Sequence, residues 1–557
     1  TLVFYLFLLI STFLEAFSIY IIFPALNFII NPDQSIEILS YLQDLNIFDI
    51  KGTIAAIYLF LIFYLVLSLV KTSFMLFFTS WNNNFVFKIE HDLAKKLYGN
   101  YLNFSLEKFG SLNTSELQKN IIIEIKRARV CVDIFLRFFV DILIIFSLST
   151  ILFLHQPFST LVIATVAFTV GLILNLVFRK KMFSLGEADV KYTAKIFSSI
   201  REGFSSFKSI LIENKQKIFI DDFSKFFWER CNAQKLSKII QDSIKIYIEF
   251  VSILILIVLI YILIINDSNL KNLIPTLTLY AAALYRLMPA ASRVVNHLQS
   301  IENSKASIKI IEKGLKDINK NKDKKISEIK FLNKIFFDNI SFKYKLGNNK
   351  VIKNLSFTIN KNDFIVISGL SGLGKTTFID LLSGLLKPTK GKIKIDKKTL
   401  SENTNWRKSV GYVPQSVYVL DRSIKDNIIF GNKTFNKKRL SQAIKYASLD
   451  NFVKNINKGI NYNVGENGSK LSGGQIQRLG IARSLYRMPE ILICDEITSS
   501  VDKITEKKIL DTLLALKSKL TIIFITHRPE IINNYAVKKF VITKDYRGNS
   551  KLKKIKR

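Results

Sequence analysis

Residues 369–376 read Gly-Leu-Ser-Gly-Leu-Gly-Lys-Thr, a glycine-rich stretch ending in a lysine and a hydroxyl. This is the G-x-x-x-x-G-K-[ST] phosphate-binding loop. Its glycines let backbone N–H groups curl around phosphate oxygens, and the helix that follows adds a favourable dipole. Lys375 would reach the outer phosphates, and the Thr376 hydroxyl would hold Mg²⁺. The motif needs a strand before it and a helix after it. The apolar run Phe364–Ser368 and the stretch Phe378–Leu386 supply both.

Further groups suited to phosphate chemistry follow in the chain. The apolar strand pattern Ile491–Cys494 ends in Asp495-Glu496. Asp495 suits Mg²⁺, and Glu496 could polarise an attacking water. Leu471-Ser472-Gly473-Gly474-Gln475 is a second glycine-rich turn ahead of a helical pattern, Ile476–Leu485. His527, after the apolar strand pattern Thr521–Ile525, could meet a terminal phosphate.

A chain of 557 residues needs more than one core. Its mean hydropathy is positive at +0.23, yet 22% of it is charged. The two facts are compatible because the classes are segregated. Up to about residue 300 the chain holds long apolar runs; after about 330, short apolar strands alternate with polar helices. The net charge of +36 is spread over loops, helices and tail rather than set in one stripe. That favours positive-inside loops and anionic headgroups over nucleic acid. Cys131, Cys231 and Cys494 are far apart, so neither a disulfide nor a cysteine metal site is expected. The chain opens at Thr1 within an apolar run, without a signal-peptide pattern, and residues ahead of Thr1 are expected.

Six runs have the length a bilayer demands: 1–30, 54–80, 130–154, 158–178, 244–265 and 270–297. Segments 81–129 and 179–243 are rich in Lys and Arg, whereas the other connections are not. The two rich segments, and both chain ends, are therefore expected in the cytoplasm, the segments as helical extensions of the spans. Turns near Phe104–Thr114 and Phe204–Glu213 interrupt them and could contact a second domain. Around 35–48, Ile38, Leu42 and Leu45 have helical spacing with an acidic opposite face, which fits a short helix on the outer surface. The boundaries expected are a membrane domain over 1–320, a solvated linker over 321–334, a nucleotide domain over 335–547 and a loose basic tail over 548–557.

Ionisable residues within spans are costly. Glu15 lies mid-span in the first. Arg129, Asp133, Arg137 and Asp141 recur every four residues along the third, an internal ladder that neutralises itself. Arg286 and Arg293 lie two turns apart on one face of the sixth, with no acidic sequence neighbour. Their forked donors suit an anion, phosphate above all.

Taken together, Gly369–Thr376, Gln415 after Val413-Pro414, the Leu471–Gln475 turn, Asp495-Glu496, Asp502 and His527 resemble the nucleotide-binding domain of ABC transporters. Six spans ahead of one such domain resemble a half-transporter of the exporter type (type IV). The fold implied is a membrane α-helical domain fused to an α/β P-loop ABC nucleotide-binding domain. Its six transmembrane helices would carry long cytoplasmic extensions. The resemblance implies ATP and Mg²⁺ as ligands. Tyr344 would stack on adenine, and Gly369, Ser371, Gly372, Gly374, Lys375, Thr376 and Thr377 would surround the phosphates. Thr376, Gln415 and Asp495 would serve Mg²⁺. Glu496 would be the general base, His527 the switch at the γ-phosphate, and Gln415 the sensor. Ser472, Gly473, Gly474, Gln475 and Asp502 would complete the ATP site of a second copy, which implies a homodimer. Cys494 departs from the usual aliphatic residue but is apolar enough to pack.

Leu284–Arg293, Ile244–Glu249, Glu15 and the amphipathic outer segment are further similar to PglK-type flippases. Those move lipid-linked oligosaccharides across the bacterial inner membrane. Arg286, Arg293 and Lys245 would then line the substrate path, Lys245 standing where that family has Arg. The alternatives are the same engine exporting another lipid, a hydrophobic drug or a peptide, and an ATP-gated channel.

Overall fold

The computed structural model describes residues 53–155, 157–266, 270–316, 328–344, 351–370, 372–401, 404–432, 435–498, 502–528, 538–544 and 550–554. Phe7, Ile10, Phe13, Leu14 and Phe17 are described as helical too. Glu15, the 35–48 segment and Ser371 lie outside the described residues. Two compact units emerge, one from 1–103 with 112–320 and one from 104–111 with 321–557.

Long helices dominate the first unit. In chain order the helices are α1 (Thr53–Leu102), α2 (Leu106–Gly110), which falls within the 104–111 piece of the second unit, α3 (Thr114–Lys119), α4 (Ile125–His155) and α5 (Pro157–Ser205). Then come α6 (Phe207–Ile212), α7 (Gln216–Asn266) and α8 (Leu270–Lys316). The short α2 and α6 occupy the two expected cytoplasmic turns. With 50 residues, α1 is about 75 Å long, far beyond a hydrocarbon core of about 30 Å. Leu61–Leu102 and Thr160–Ser205 are long and apolar enough to cross a membrane. On α1, Leu61, Phe63, Leu65, Val66, Leu69 and Phe77 are exposed. In water that row would be a liability; against lipid it is the stable face.

Packing inside this unit is tight. Met182, Leu185, Ile244, Ile248 and Val295 form a buried cluster across α5, α7 and α8. Gly186 lets α5 and α8 approach closely, since a Cβ there would lie 2.1 Å from the backbone oxygen of Asn303. A π-turn, Asn120–Glu124, joins α3 to α4 and buries Glu124 completely. Lys119, itself 2% exposed, meets Glu124 at 3.3 Å, and Arg127 meets the same carboxylate at 3.3 Å. Arg127 also pairs with Asp189 of α5, which Arg230 of α7 reaches at 3.2 Å.

The expected ladder along the third span is only partly internal. Arg137 pairs with Asp133 at 3.0 Å within α4. Arg129, however, forms an ion pair with Glu90 of α1 at 2.9 Å, and Asp141 faces α8. Residues four apart can pair, but long helices side by side offer each charge a better desolvated partner across the interface.

The second unit is a pair of sheets with helices. The antiparallel sheet holds β1 (Lys334–Phe342), β2 (Ile352–Asn360), β4 (Lys390–Ile395) and β5 (Lys398–Thr399), in the order β2-β1-β4-β5. The other holds β3 (Phe364–Ser368), β6 (Val410–Val413), β7 (Ile491–Asp495), β8 (Thr521–Ile525), β9 (Lys538–Lys544) and β10 (Ser550–Lys554), in the order β10-β9-β3-β8-β7-β6. All its pairings are parallel except β9 with β10. Strands β3, β7 and β8 are buried along their whole length, as parallel strands covered on both faces must be. Helix α9 (Lys375–Leu382) packs Phe378 on Phe337 of β1, ring centroids 5.0 Å apart.

Two boundaries differ from the sequence reading. Ile329 and Phe331 belong to the core between the sheets, and Phe331 N–H donates to Glu490 at 2.9 Å. The segment 321–334 is therefore not solvated linker throughout. Nor is 548–557 all loose tail: Ser550–Lys554 pairs along β9. Its lysines alternate with Leu552, so one face is apolar enough to join a sheet.

Candidate functional site

Four parallel strands end at one edge of the larger sheet, and each hands over a group there. The registers Val413↔Cys494, Asp495↔Ile525 and Ile367↔Ile525 set those ends level. Ligands of open α/β sheets bind outside the carboxyl ends of the strands. From β3 comes the 369–374 loop, from β6 Gln415, from β7 Asp495 and Glu496, and from β8 His527.

The loop depends on left-handed glycines. Gly372 and Gly374 have φ of 79° and 94°, a region a side chain disfavours. At Gly374 a Cβ would also press on Val351 at 3.1 Å. Lys375 opens α9, buried, with its ammonium donating to Gly369 O at 2.7 Å. The same ammonium lies 3.1 Å from His527 Nε2 and 3.9 Å from Glu496 Oε1. Glu496 stands at the left-handed φ of 49°, which turns the chain sharply after β7. Its Oε1 lies 2.5 Å from His527 Nε2, and its Oε2 accepts from Gln415 Nε2 at 3.0 Å. The four expected groups Lys375, Gln415, Glu496 and His527 thus form one connected cluster.

Electrostatics sharpen it. Burial lowers the Lys375 ammonium, opposed by the charges of Glu496 and Asp495. Burial and the neighbouring Glu496 charge raise the Asp495 carboxyl. Two residues here escaped the sequence reading. Tyr412 donates to Asp495 Oδ2 at 3.4 Å, and its phenol is raised by burial and by that carboxylate. Asp380, on α9, is pushed up to about 6 by burial and by Asp495. An acidic residue amid Phe378–Leu386, an otherwise apolar helix, was the available signal.

Thr376 is exposed beside this cluster, while Thr377 is buried and shares a hydrogen bond of 3.1 Å with the Tyr344 hydroxyl. The Tyr344 ring stands edge-on to Phe342 at 4.9 Å. The Thr376 hydroxyl, Asp495 carboxylate and Gln415 amide are hard oxygen donors of the kind Mg²⁺ takes. Cys494 is fully buried in an apolar cluster, and burial raises its thiol strongly.

The glycine-rich turn is built differently. Ser472 caps α10 (Gly473–Tyr486) in a reciprocal box: Gln475 N donates to its hydroxyl at 3.3 Å, and Ser472 N donates to Gln475 Oε1 at 2.9 Å. Ser472 and Gly473 are exposed, Gly474 half-buried. Those bonds stay within the turn, and Gln477, further along α10, donates to Gln415 O at 2.6 Å. Asp502 precedes α11 (Lys503–Ala515), its backbone oxygen accepts from Glu506 N at 2.8 Å, and its charge partly opposes the burial that lowers the Arg478 guanidinium.

In the membrane unit, Arg286, Arg293 and Lys245 are all exposed. Arg293 is not unaccompanied as its sequence neighbours suggested. Its Nη2 meets Asp141 Oδ1 at 2.7 Å, and His297 Nε2 lies 3.0 Å from Asp141 Oδ2. The partner comes from a helix more than a hundred residues away, which local sequence could not reveal.

Residues 352–499 match the family described as ABC transporter. Over most of its length the chain is 29% identical to an export ATP-binding/permease protein of Rickettsia typhi, covering 84% of this chain and 82% of the relative. The ABC transporter B family member 13 of Arabidopsis thaliana is 37% identical over 38% of this chain and 17% of its own. A leukotoxin translocation ATP-binding protein from a Pasteurella haemolytica-like strain is 38% identical over 36% of this chain and 28% of its own. Among solved structures, a bacterial Atm1-family ABC exporter with ATP bound superposes with a TM-score of 0.80 at 20% identity, over 96% of this chain and 93% of that one. Residues 352–499 are thus an ABC transporter ATP-binding domain, and the chain as a whole has the ABC exporter fold, an ATP hydrolase coupled to transport.

Proposed function

We propose that two copies of this chain form an ATP-driven flippase in a bacterial inner membrane. It would move a polyprenyl-pyrophosphate-linked oligosaccharide from the cytoplasmic to the outer side. The observation that carries the substrate class is the pair Arg286 and Arg293, both exposed and two turns apart on a membrane helix that few charges could otherwise occupy. The homodimer is supported by the division of labour in the nucleotide unit. Lys375, Glu496 and His527 cluster at the strand ends, whereas Ser472 and Gly473 lie exposed on a turn capped by Gln475, a geometry suited to ATP held by a second copy.

In this reading Glu496 takes the proton of the attacking water, with Gln415 orienting its second oxygen. His527 and Lys375 face the γ-phosphate. Mg²⁺, held by Thr376, Asp495 and Gln415, would neutralise phosphate charge.

A second reading is export of a hydrophobic solute. An apolar cavity of about 550 Å³ lies among α4, α5, α7 and α8, lined by Leu152, Ile163, Phe168, Ile255, Leu284 and Met288 among others and, among the described residues, by no lysine or arginine. The names of the Rickettsia and Pasteurella relatives speak of export and of toxin translocation.

The deciding experiment is ATP-dependent flipping of a fluorescent lipid-linked oligosaccharide in proteoliposomes. Glycan protected only with ATP and wild-type protein, and not with Glu496→Gln, supports the flippase. Protection unchanged in Arg286→Ala/Arg293→Ala removes the arginine role. ATP hydrolysis without glycan movement, stimulated instead by hydrophobic solutes, favours the second reading.

A further inference from the structure

We infer that Asp141 and His297 are positioning residues: they hold Arg293 as a half-neutralised anchor whose second donor edge is left for phosphate oxygens. The inference rests on the substrate reading above.

Within the pair the two ends differ. The Asp141 side chain is 6% exposed and the Arg293 side chain 50%. Arg293 Nε donates to Asp141 Oδ1 at 2.8 Å, and Nη2 reaches the same oxygen at 2.7 Å. Asp141 Oδ2 is engaged by His297 Nε2 at 3.0 Å. Both carboxylate oxygens are thereby satisfied by two side chains one turn apart on α8. A guanidinium carries five donors in a fixed fork. Asp141 takes the edge between Nε and Nη2. The edge formed by Nη1 and the remaining Nη2 hydrogen points away from that carboxylate, on the exposed member of the pair, and it suits two oxygens of one phosphate.

Charge explains why such a pair serves transport. An isolated guanidinium in a low-dielectric site attracts a pyrophosphate strongly and releases it slowly. A carboxylate on the opposite edge keeps the geometry and weakens the attraction. Sites that pass a charged solute must bind it well enough to admit it and weakly enough to let it leave. His297 keeps the carboxylate in place from its other side, so the guanidinium cannot swing free of α4.

The test uses full-length protein in nanodiscs. It measures stimulation of ATP hydrolysis by a synthetic polyprenyl-pyrophosphate-linked trisaccharide, beside a polyprenyl glycoside without phosphate. In Asp141→Asn, half-maximal stimulation is expected at about three- to tenfold lower pyrophosphate lipid, with the maximal rate reduced by a similar factor. Asp141→Glu, which keeps the carboxylate, is expected to restore both. Arg293→Lys keeps the ion pair but not the fork, and half-maximal stimulation should rise about tenfold at unchanged melting temperature. The phosphate-free glycoside should respond alike in every variant. Lowered melting temperature with half-maximal stimulation unmoved in both Asp141→Asn and Arg293→Lys would mean a purely structural pair and overturns the inference. If Arg286→Ala/Arg293→Ala leaves the pyrophosphate response intact, the substrate reading falls first and the inference with it. A response lost in that double variant but unmoved in the other two overturns the inference alone.

Discussion

His527 Nε2 lies 2.5 Å from Glu496 Oε1, and the Lys375 ammonium lies 3.1 Å from the same ring nitrogen. Glu496, His527 and Lys375 therefore form one contiguous cluster at the strand ends. In the proposed reading Glu496 is the group that takes the proton of the attacking water. Glu496→Gln keeps an acceptor for Gln415 but removes the carboxylate proposed as base. Expected is a fall in ATP hydrolysis of about 10²- to 10⁴-fold with ATP binding retained, read by phosphate release beside equilibrium binding of a fluorescent ATP analogue. Hydrolysis within a factor of a few of wild type would remove Glu496 from the chemistry.

Asp380 makes the nucleotide unit sensitive to pH. Its carboxyl is raised to about 6 by burial and by Asp495. The unfolded chain ionises it near 4, so the folded state holds the proton longer. Stability from this group is complete below pH 4 and is lost as pH rises through 6. With allowance for partial solvent screening, the loss is about 1 kcal/mol. Asp380→Asn should therefore raise the melting temperature at pH 8 by about 2–4 °C and change it little at pH 4. Thermal shift at the two pH values checks this, and an equal shift at both would discount the ionisation.

Gly186 and Gly203 lie on the same helix, α5, and should respond in opposite senses to alanine. At Gly186 the new Cβ meets the Asn303 backbone at 2.1 Å, so α5 and α8 must part. A cost of about 1–3 kcal/mol is expected. Nothing lies within 4 Å of a Cβ at Gly203, where alanine should stabilise by about 0.5–1 kcal/mol through helix propensity. Melting temperatures of the two variants provide the comparison.

The buried pair Lys119–Glu124 predicts an asymmetry. Glu124→Ala leaves Lys119, 2% exposed, without its carboxylate, at a cost of about 3–5 kcal/mol. Lys119→Met/Glu124→Leu removes both charges and should recover most of that loss, since Arg127 keeps Asp189. Expression level and melting temperature report it. A double variant as unstable as the single one would show that the pair contributes more than its charges.

Much of the nucleotide unit was legible along the chain because its site is written in contiguous pieces. Phe364–Ser368, Ile491–Cys494 and Thr521–Ile525 are apolar runs of strand length; the first and last became strands with those bounds, and the second runs one residue further, to Asp495. Parallel strands buried on both faces must read this way. The groups that follow them inherit their place from the strand ends, so Lys375, Glu496 and His527 could be named before their distances were known. Tyr412 and Asp380 could not. Their meeting at Asp495 depends on how β6 and α9 flank β7, which no local pattern encodes.

For the membrane unit the division falls elsewhere. By itself the sequence determined where helices must run, because apolar length and the positions of Lys and Arg are properties of a single segment. Only the tertiary structure decided which charges meet. Arg129 takes Glu90 rather than a neighbour on α4, Arg293 takes Asp141, and Phe331 enters a core from what reads as linker. A buried charge pairs with whichever partner lies within about 3 Å in the packed state, and that distance belongs to the fold, not to the chain.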